Sequence, residues 1–180
     1  MKWMIASDIH GNADSCEKMI RRFEAEKADR LLLLGDILYH GPRNEVTDGY
    51  RPKEVAGMLN GIRESLLCVR GNCEAEVDQM MLDFPVMAEY ALLDTGKRMI
   101  FATHGHIWNE DHLPPLKPGD VLLHGHTHIP LHTERNGILC VNPGSVTISK
   151  NGCARGYMTL EDGLFCWKTL DGTEYDRLST

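Results

Sequence analysis

The sequence contains no long apolar run and no excess of positive charge. No segment reaches the roughly 18 apolar residues of a membrane-spanning helix, and the apolar stretch Trp3 to Ala6 is shorter than the core of about 7–15 residues in a secretory signal peptide. The formal net charge is -7, whereas binding along a nucleic-acid backbone needs a basic surface. We therefore expect a cytoplasmic protein with no membrane association and no extended nucleic-acid surface.

The cysteines also lack a recognisable pattern. There are six of them, scattered along the chain, with no CxxC pair. Cys68 and Cys140 lie in apolar runs, where reduced cysteines pack as small hydrophobic residues, so a disulfide framework is not indicated. The sequence has no internal repeat, low-complexity tract or linker. A chain of 180 residues can form one domain with a sizeable core.

The first half of the sequence alternates short apolar runs with helical patterns. KWMIAS, RLLLLG and SLLCV are typical of buried strands. Between them, residues 16–23 carry apolar side chains at helical spacing, with Asp14 to Glu17 as a candidate capping box. Pro52 is suited to the first position of a second helix. Alternating strands and helices indicate parallel β-α-β units.

The second half consists mainly of strand-like runs joined by turns. The runs are MAEYALLD, RMIFAT, DVLLHG, GILCV, RGYMTL and LFCWKTL. Their spacing is more typical of antiparallel sheet. One sheet fed by β-α-β units and a second sheet richer in hairpins predict an α/β fold, a two-sheet sandwich with helices outside.

Side chains that can bind metals follow five of these apolar runs. They are Asp8 and His10 after the first, Asp36 after the second, Asn72 after the third, His104 after RMIFAT, and His126 and His128 after DVLLHG. In open α/β sheets, ligands bind at the carboxyl ends of the strands. A single HxH pair is a weak signal, because a lone histidine is more often a surface or core residue. Recurrence at five strand ends predicts one shared site.

Seven candidate ligands exceed the three or four of a single zinc site. The number fits two ions that share one carboxylate. Imidazole nitrogen combined with carboxylate and amide oxygen suits manganese, iron, nickel or zinc. Two ions about 3.5–4 Å apart are the usual device for hydrolysing phosphate esters.

The ordered motifs DIHGN, GDILYHG, RGNCE, THGH, GHTH and NPGS resemble those of the calcineurin-like metallophosphoesterases. From Met1 to about Tyr157 the chain is similar to their small bacterial branch, the YfcE-type phosphodiesterases. The resemblance implies a four-layer α/β/β/α sandwich of two mixed sheets flanked by helices, in a single metallophosphoesterase domain over residues 1–180. It further implies a homo-oligomer, and hydrolysis of a small or activated phosphodiester through a dinuclear metal centre and a metal-bound water or hydroxide.

The resemblance also assigns the metal ligands. One metal would be held by Asp8, His10, Asp36 and His128, and the other by Asp36, Asn72, His104 and His126. Asp36 is then the bridge, because one carboxylate has two oxygens and can bind both ions. Manganese is the working choice of cofactor for a set of nitrogen and oxygen ligands without cysteine, with nickel, iron and zinc left open.

Cys73 departs from the pattern of the wider superfamily. Many members have a histidine at this position, which helps to stabilise or protonate the leaving group, although YfcE-type members resemble this chain in having cysteine. A thiol is a poorer acid–base partner than imidazole at neutral pH. We therefore expect diesters with good leaving groups to be preferred over alkyl monoesters, which need a proton on the leaving group.

Five residues are predicted to act on the substrate, three as catalytic residues and two as substrate contacts. Asn72 and Cys73 are candidate catalytic residues together with His106, which either contacts the phosphate or supplies the missing acid, or else is a hydrogen-bonding residue behind the ligands. Arg70 is either a phosphate contact or the cap of a surface loop. Asn12 is either a substrate contact or a turn residue after Gly11.

Several other functions are compatible with parts of the pattern. A non-catalytic scaffold of the same fold, similar to the retromer subunit, would lack some of the metal ligands, yet every ligand type is present here. A protein Ser/Thr phosphatase would be longer and would have the histidine that Cys73 replaces. A phosphomonoesterase remains an alternative, and a cysteine-nucleophile hydrolase would leave the metal-ligand set unexplained.

Overall fold

The chain folds into eleven strands and three α-helices, and the computed structural model describes all 180 residues. The helices are α1 (Ala13–Glu26), α2 (Pro52–Asn60) and the single turn α3 (Glu76–Gln79). The strands are β1 (Trp3–Ala6), β2 (Arg30–Leu33), β3 (Leu66–Cys68), β4 (Tyr90–Asp94), β5 (Met99–Thr103), β6 (Val121–Leu123), β7 (Pro130–Arg135), β8 (Ile138–Pro143), β9 (Gly156–Glu161), β10 (Leu164–Thr169) and β11 (Glu174–Ser179).

The strands form two mixed sheets. One has the order β11-β10-β9-β1-β2-β3 and the other has the order β4-β5-β6-β8-β7. Strands β1, β2 and β3 are parallel, as are β5, β6 and β8. The predicted sandwich of two mixed sheets is confirmed. The expected division into a β-α-β sheet and a hairpin sheet was wrong, because β9, β10 and β11 add to the first sheet and the second sheet has its own parallel centre.

The alternation of side chains along the strands separates two main cores. In β1, Met4 and Ala6 face the helices, whereas Ile5 faces the other sheet. Successive side chains of a strand point to opposite faces, so buried strands need apolar residues at every position. This explains why the central strands appear in the sequence as continuous apolar runs.

The outer face of the five-stranded sheet is covered by an irregular segment, not by a helix. Residues 105–119 run across this face, and Trp108 and Leu116 pack on the small cluster that includes Phe101 and Leu122. Three prolines and two glycines in this segment disfavour a regular helix. Helices therefore flank only the six-stranded sheet.

Helix α1 begins earlier than the sequence pattern suggested. Its N-cap is Asn12, whose side chain accepts a hydrogen bond of 2.8 Å from the backbone N–H of Ser15. The predicted capping box at Asp14 to Glu17 was wrong, because Asp14 already lies in the first helical turn. Pro52 begins α2 as expected.

Strands β7 and β11 were not predicted. Both lie at sheet edges, and their side chains are mostly exposed or half-buried. Edge strands carry polar side chains that discourage pairing with other chains, so they lack the apolar signal of the central strands.

None of the helices has the length and apolarity needed to cross a membrane.

A polar cluster joins the end of α1 to the six-stranded sheet. The Glu26 carboxylate accepts hydrogen bonds from Lys2 Nζ and Lys168 Nζ, each at 2.8 Å, and from the Tyr157 hydroxyl at 2.8 Å. Burial by itself raises the pKa of Glu26, but these three partners outweigh burial and lower the pKa to about 2. The ionised carboxylate is therefore the form that stabilises the fold.

We predict that Glu26→Gln lowers the free energy of unfolding at pH 7 by about 1–2 kcal/mol, because it removes charge-assisted hydrogen bonds. A folded-state pKa below the ordinary value of 4.5 gives stability that is present above that value and is lost as the pH falls towards 2. Urea titrations across this range should show the difference between wild type and variant shrinking. Glu24→Gln, on the exposed side of α1, is the control. A difference that stays constant down to acid pH would contradict this role for Glu26.

Candidate metal centre

The ends of five strands converge on one site. Asp8 and His10 follow β1, Asp36 follows β2 and Asn72 follows β3, all in the six-stranded sheet; His104 follows β5, and His126 and His128 follow β6, in the facing sheet. The parallel centre of each sheet directs its carboxyl ends to the same edge of the sandwich. The structure thus brings together all seven residues that the sequence singled out as metal ligands.

Most of these residues have a strained backbone. Asp8, His10, Asp36, His126 and His128 have φ between 50° and 66°. Only four other non-glycine residues have positive φ, and these lie at a helix end or in turns. Left-handed geometry costs about 1–3 kcal/mol at a non-glycine residue and persists only where the surroundings enforce it. The fold therefore accepts a cost in folding free energy to direct these side chains towards the site.

Asp8, His10 and His128 form the first ligand group. His128 Nε2 lies 3.2 Å from Asp8 Oδ1, and His10 Nε2 lies 3.3 Å from His128 Nε2. Each ring has its other nitrogen, Nδ1, against a backbone carbonyl, at 2.9 Å from Tyr39 for His10 and at 2.7 Å from Ile148 for His128. A carbonyl can only accept, so Nδ1 carries the proton and the Nε2 lone pair faces the centre.

Asp36, His104 and His126 form the second ligand group. His104 Nε2 lies 3.5 Å from Asp36 Oδ2, 3.1 Å from His126 Nδ1 and 3.1 Å from Asn72 Oδ1. Its Nδ1 donates to the Leu34 carbonyl at 2.7 Å, so here too Nε2 is the ring nitrogen that faces the centre. Asn72 is exposed at the edge of the group, whereas His104 is fully buried.

Asp36 lies between the two groups. Its Oδ2 is 3.7 Å from His10 Nε2 and 3.5 Å from His104 Nε2. Cys73 also approaches Asp36, since its Sγ donates to Oδ2 at 3.3 Å and its backbone N–H donates to Oδ1 at 2.9 Å. One carboxylate therefore faces ligands from both groups.

Glu74 fixes the loop that carries Asp36, and the sequence patterns did not identify it. The Glu74 carboxylate is buried and accepts from the backbone N–H groups of Asp36 at 3.0 Å and Ile37 at 2.7 Å, and from that of Gly71. Gly71 is required here, because a Cβ on it would lie 2.2 Å from Asp36 Oδ1. The RGNCE motif thus contains a buried support for the central carboxylate as well as Asn72.

The donor set fits a cation. Asp8 Oδ1 is buried and has no hydrogen-bond partner, although His128 Nε2 lies 3.2 Å away. An unpaired buried acceptor is costly, so the cluster needs positive charge at its centre. Burial opposes ionisation of Asp8 and Asp36, but contacts with His10, His128 and His104 outweigh it and hold both pKa values below the ordinary range. Metal ions would supply the same positive charge.

The histidines respond to this charge in different ways. Burial lowers the pKa of His104, but contact with Asp36 and the charge of Asp8 raise it to about 9. Burial and the nearby His104 lower the pKa of His126 to about 4, so its ring is neutral at pH 7. The second group thus combines a carboxylate with a neutral imidazole, and both are good ligands for divalent metals.

The ligands open into a small, polar cleft of about 170 Å³. Only one of its 11 lining residues is hydrophobic. Arg43 and Lys150 also line it, although neither was predicted as a site residue. Arg43 is visible in the sequence as part of the insert HGPRNEVTDGY after Asp36, but nothing in that pattern indicates that the insert returns to the site.

A larger cleft of about 650 Å³ lies elsewhere, lined by residues such as Trp3, Ile100 and Leu160. It adjoins the amino ends of β1 and β5, whereas the ligands lie at the carboxyl ends. It contains no cluster of metal-ligating side chains. The chemistry therefore belongs to the smaller cleft.

The two predicted substrate contacts have structural roles in this conformation. Asn12 caps α1, and its Nδ2 donates to Thr47 Oγ1 at 2.7 Å, so both polar atoms of its side chain are engaged. The Arg70 guanidinium donates to the Glu74 carbonyl at 3.3 Å and closes the loop after β3. In both cases the geometry favours the structural alternative over contact with the phosphate.

His106 is exposed at the edge of the site. Its ring centroid lies 5.4 Å from that of His104 and 6.2 Å from that of His126, and the ring makes no hydrogen bond within the chain. The neighbouring His124, predicted as a core histidine, is buried, and its Nε2 lies 3.1 Å from Glu110 Oε2. This contact ties the segment that carries His106 to β6.

The NPGS motif supports the site from behind. Ser145 Oγ donates to the Asp8 carbonyl at 2.9 Å, and Thr147 Oγ1 donates to the Ile9 carbonyl at 2.8 Å. Asn142 Nδ2 donates to the Gly125 carbonyl at 2.8 Å. The first two bonds hold the backbone between Asp8 and His10, and the third holds the residue before His126.

Comparison with known proteins gives one consistent family. Residues 1–162 match the calcineurin-like phosphoesterase superfamily domain. Over 162 residues the chain is 44% identical to phosphodiesterase YfcE of Escherichia coli (strain K12), with 90% of this chain and 88% of YfcE covered. The solved structure of E. coli YfcE, a phosphoesterase, superposes with a TM-score of 0.95 at 40% identity over 99% of each chain.

More distant proteins share the fold alone. Vps29 from Entamoeba histolytica, solved in complex with zinc, has a TM-score of 0.62 at 20% identity, with 99% of this chain and 98% of Vps29 covered. The match to the family domain spans residues 1–162, which include every ligand-bearing strand end. The 44% identity to YfcE is also well above the 20% identity to Vps29. The chain therefore belongs to the calcineurin-like phosphoesterase superfamily and is a hydrolase.

Proposed function

We propose that this hydrolase is a phosphodiesterase that binds two divalent cations and acts on small or activated diesters. The observation that carries the proposal is the position of Asp36 between two ligand groups, each of which has its own histidines. A single ion would need only one of these groups. The name of the YfcE relative, a phosphodiesterase, supports the same reaction.

The residues of the chain would bind the cations and keep the ligand side chains oriented. When bound, the cations supply Lewis-acid activation of water and neutralise charge on the phosphoryl oxygens. Asp8, His10 and His128 would hold one ion, and His104, His126 and Asn72 would hold the other, with Asp36 shared. The backbone carbonyls at His10, His104 and His128 keep the rings oriented, as is usual behind metal ligands.

The preference for diesters rests on Cys73. Its Sγ faces Asp36 and receives a contact of 3.3 Å from Asn72 Nδ2, so the thiol is engaged with the ligand cluster and offers no imidazole to a leaving group. His106, exposed and free of internal hydrogen bonds, is the imidazole at the edge of the site, although burial and the nearby His104 lower its pKa and so favour the neutral ring. We propose Asn72 and His106 as catalytic residues, with Cys73 as the residue that limits leaving-group protonation.

Other proposed properties follow from the ligand set, the composition and the family resemblance. A complete ligand set argues against a scaffold function, because a scaffold has no need for seven converging ligands. Manganese is proposed as the working metal from the nitrogen and oxygen ligands. A cytoplasmic location and a homo-oligomeric state stay predictions that follow from composition and from the family resemblance.

We predict that activity on bis(p-nitrophenyl) phosphate is lost when metal is removed with a chelator and returns when Mn²⁺ is added. His128→Ala should lower kcat/KM by at least ~100-fold, beyond the roughly 10–100-fold loss that is typical when a residue hydrogen-bonded to a metal ligand is removed. His132→Ala, an exposed histidine on β7, is the matched control and should keep its activity. Full activity after metal removal verified by elemental analysis would contradict the metal-dependent reaction.

We also predict a steep dependence of rate on the pKa of the leaving group. A series of aryl methyl phosphodiesters would measure it in the wild type, in Cys73→His and in Cys73→Ser. In Cys73→His, the imidazole should make the rate less dependent on leaving-group pKa and raise activity on alkyl monoesters by up to ~10²-fold, the lower end of general-acid catalysis. Cys73→Ser should show neither effect.

His106 is the internal check on this prediction. If His106 already supplies a proton, His106→Ala should make the dependence steeper. A series that is flat in the wild type, and flat in all three variants, would show that proton donation does not limit the reaction. The proposed diester preference would then have no basis.

A further inference from the structure

Two cationic side chains at the cleft are not explained by the hydrolysis of a simple diester. Arg43 and Lys150 are exposed and line the cleft beside His10, His126 and His128. Neither side chain has an ion pair or a hydrogen bond within the chain. Elsewhere, surface arginines such as Arg21 and Arg51 pair with neighbouring carboxylates. The two cations at the cleft are thus free to bind a ligand.

The loop that carries Arg43 is connected directly to a metal ligand. The Tyr39 carbonyl accepts from His10 Nδ1 at 2.9 Å. Four residues later, the turn from Gly41 to Asn44 is closed by a backbone hydrogen bond of 3.3 Å, and Asn44 Nδ2 donates to the His40 carbonyl at 2.8 Å. Pro at the second position favours such a turn. Arg43 is therefore held on an ordered turn at a fixed place relative to His10.

The loop that carries Lys150 is connected in the same way. The Ile148 carbonyl accepts from His128 Nδ1 at 2.7 Å, and the Ile148 N–H donates to Ser145 Oγ at 2.9 Å. Lys150 follows two residues later, and its carbonyl accepts from the Cys153 N–H at 3.0 Å. The rings of His10 and His128 are 5.1 Å apart, so the two loops flank the same ligand group.

Charge balance then indicates what these cations recognise. A phosphodiester carries a single negative charge. In the proposed function, on which this inference rests, divalent cations already neutralise that charge. Two further cations at the cleft fit a second anionic group on the substrate. The cleft is small and only one of its 11 lining residues is hydrophobic, so it offers little apolar surface on which an aromatic base could stack.

We propose that Arg43 and Lys150 form a clamp for an anionic group on the non-leaving arm of the diester. The substrate class is therefore a small phosphodiester whose second arm carries a carboxylate or a phosphate. The clamp determines specificity and takes no part in bond cleavage.

The test compares p-nitrophenyl diesters that differ only in the second arm: 2-carboxyethyl, 2-phosphonoethyl and the neutral, isosteric 2-carbamoylethyl. In the Mn²⁺-loaded wild type, kcat/KM for an anionic arm should exceed that for the neutral arm by roughly 5- to 30-fold, as expected for two partly exposed charge contacts. In the Arg43→Gln, Lys150→Gln double variant the ratio should fall to about 1. The better of the two anionic arms identifies carboxylate or phosphate as the preferred group.

Two controls separate the clamp from a structural effect. Arg43→Lys keeps the charge and should keep most of the ratio of kcat/KM between the anionic and neutral arms. Lys53→Gln, which changes an exposed residue of α2, should leave this ratio unchanged. Equal turnover of all three esters by the wild type would overturn the clamp while leaving the phosphodiesterase in place. An equal loss on all three in the double variant would overturn it too, since the cations would then contact the scissile phosphate. No turnover of any ester by the wild type would contradict the proposed function itself.

Discussion

The structure depends on one electrostatic constraint, the convergence of acceptor atoms at the ends of two facing sheets. Three histidines donate Nδ1–H to backbone carbonyls and turn their Nε2 atoms towards two buried carboxylates. Lone pairs packed at such distances repel each other unless positive charge lies among them. The arrangement requires strained backbone at five ligand positions, and the buried Glu74 carboxylate holds the loop that carries Asp36. Cation binding would offset both costs.

The sequence predicted most of this arrangement, because the apolar runs that stand out in the sequence are the same buried strands that bring the ligands together. Central strands buried on both faces must be apolar throughout, so their ends are easy to locate, and polar residues just past those ends are conspicuous. All seven predicted ligands meet for this reason. The edge strands β7 and β11 and the irregular cover over Phe101 were missed, because polar edge strands and irregular segments leave no periodic apolar signal. The N-cap Asn12 was missed because Asp14, two residues later, is also a good capping residue.

The same limit applies to the site. Glu74, Arg43 and Lys150 act through loop geometry: one supports Asp36, and the other two reach the cleft on turns tied to His10 and His128. Residue type alone could not assign them, since glutamate, arginine and lysine are usually solvent-exposed. Conversely, Asn12 and Arg70 have residue types that suit a phosphate site, but the fold uses them to cap a helix and a loop.

Anomalous diffraction from crystals grown with Mn²⁺ tests the central claim most directly, because it locates metal ions independently of activity. We predict two anomalous peaks about 3.5–4 Å apart, one beside Asp8, His10 and His128 and the other beside His104, His126 and Asn72, with the Asp36 carboxylate in contact with both. A single peak at saturating Mn²⁺, or two peaks that do not share Asp36, would contradict the dinuclear centre.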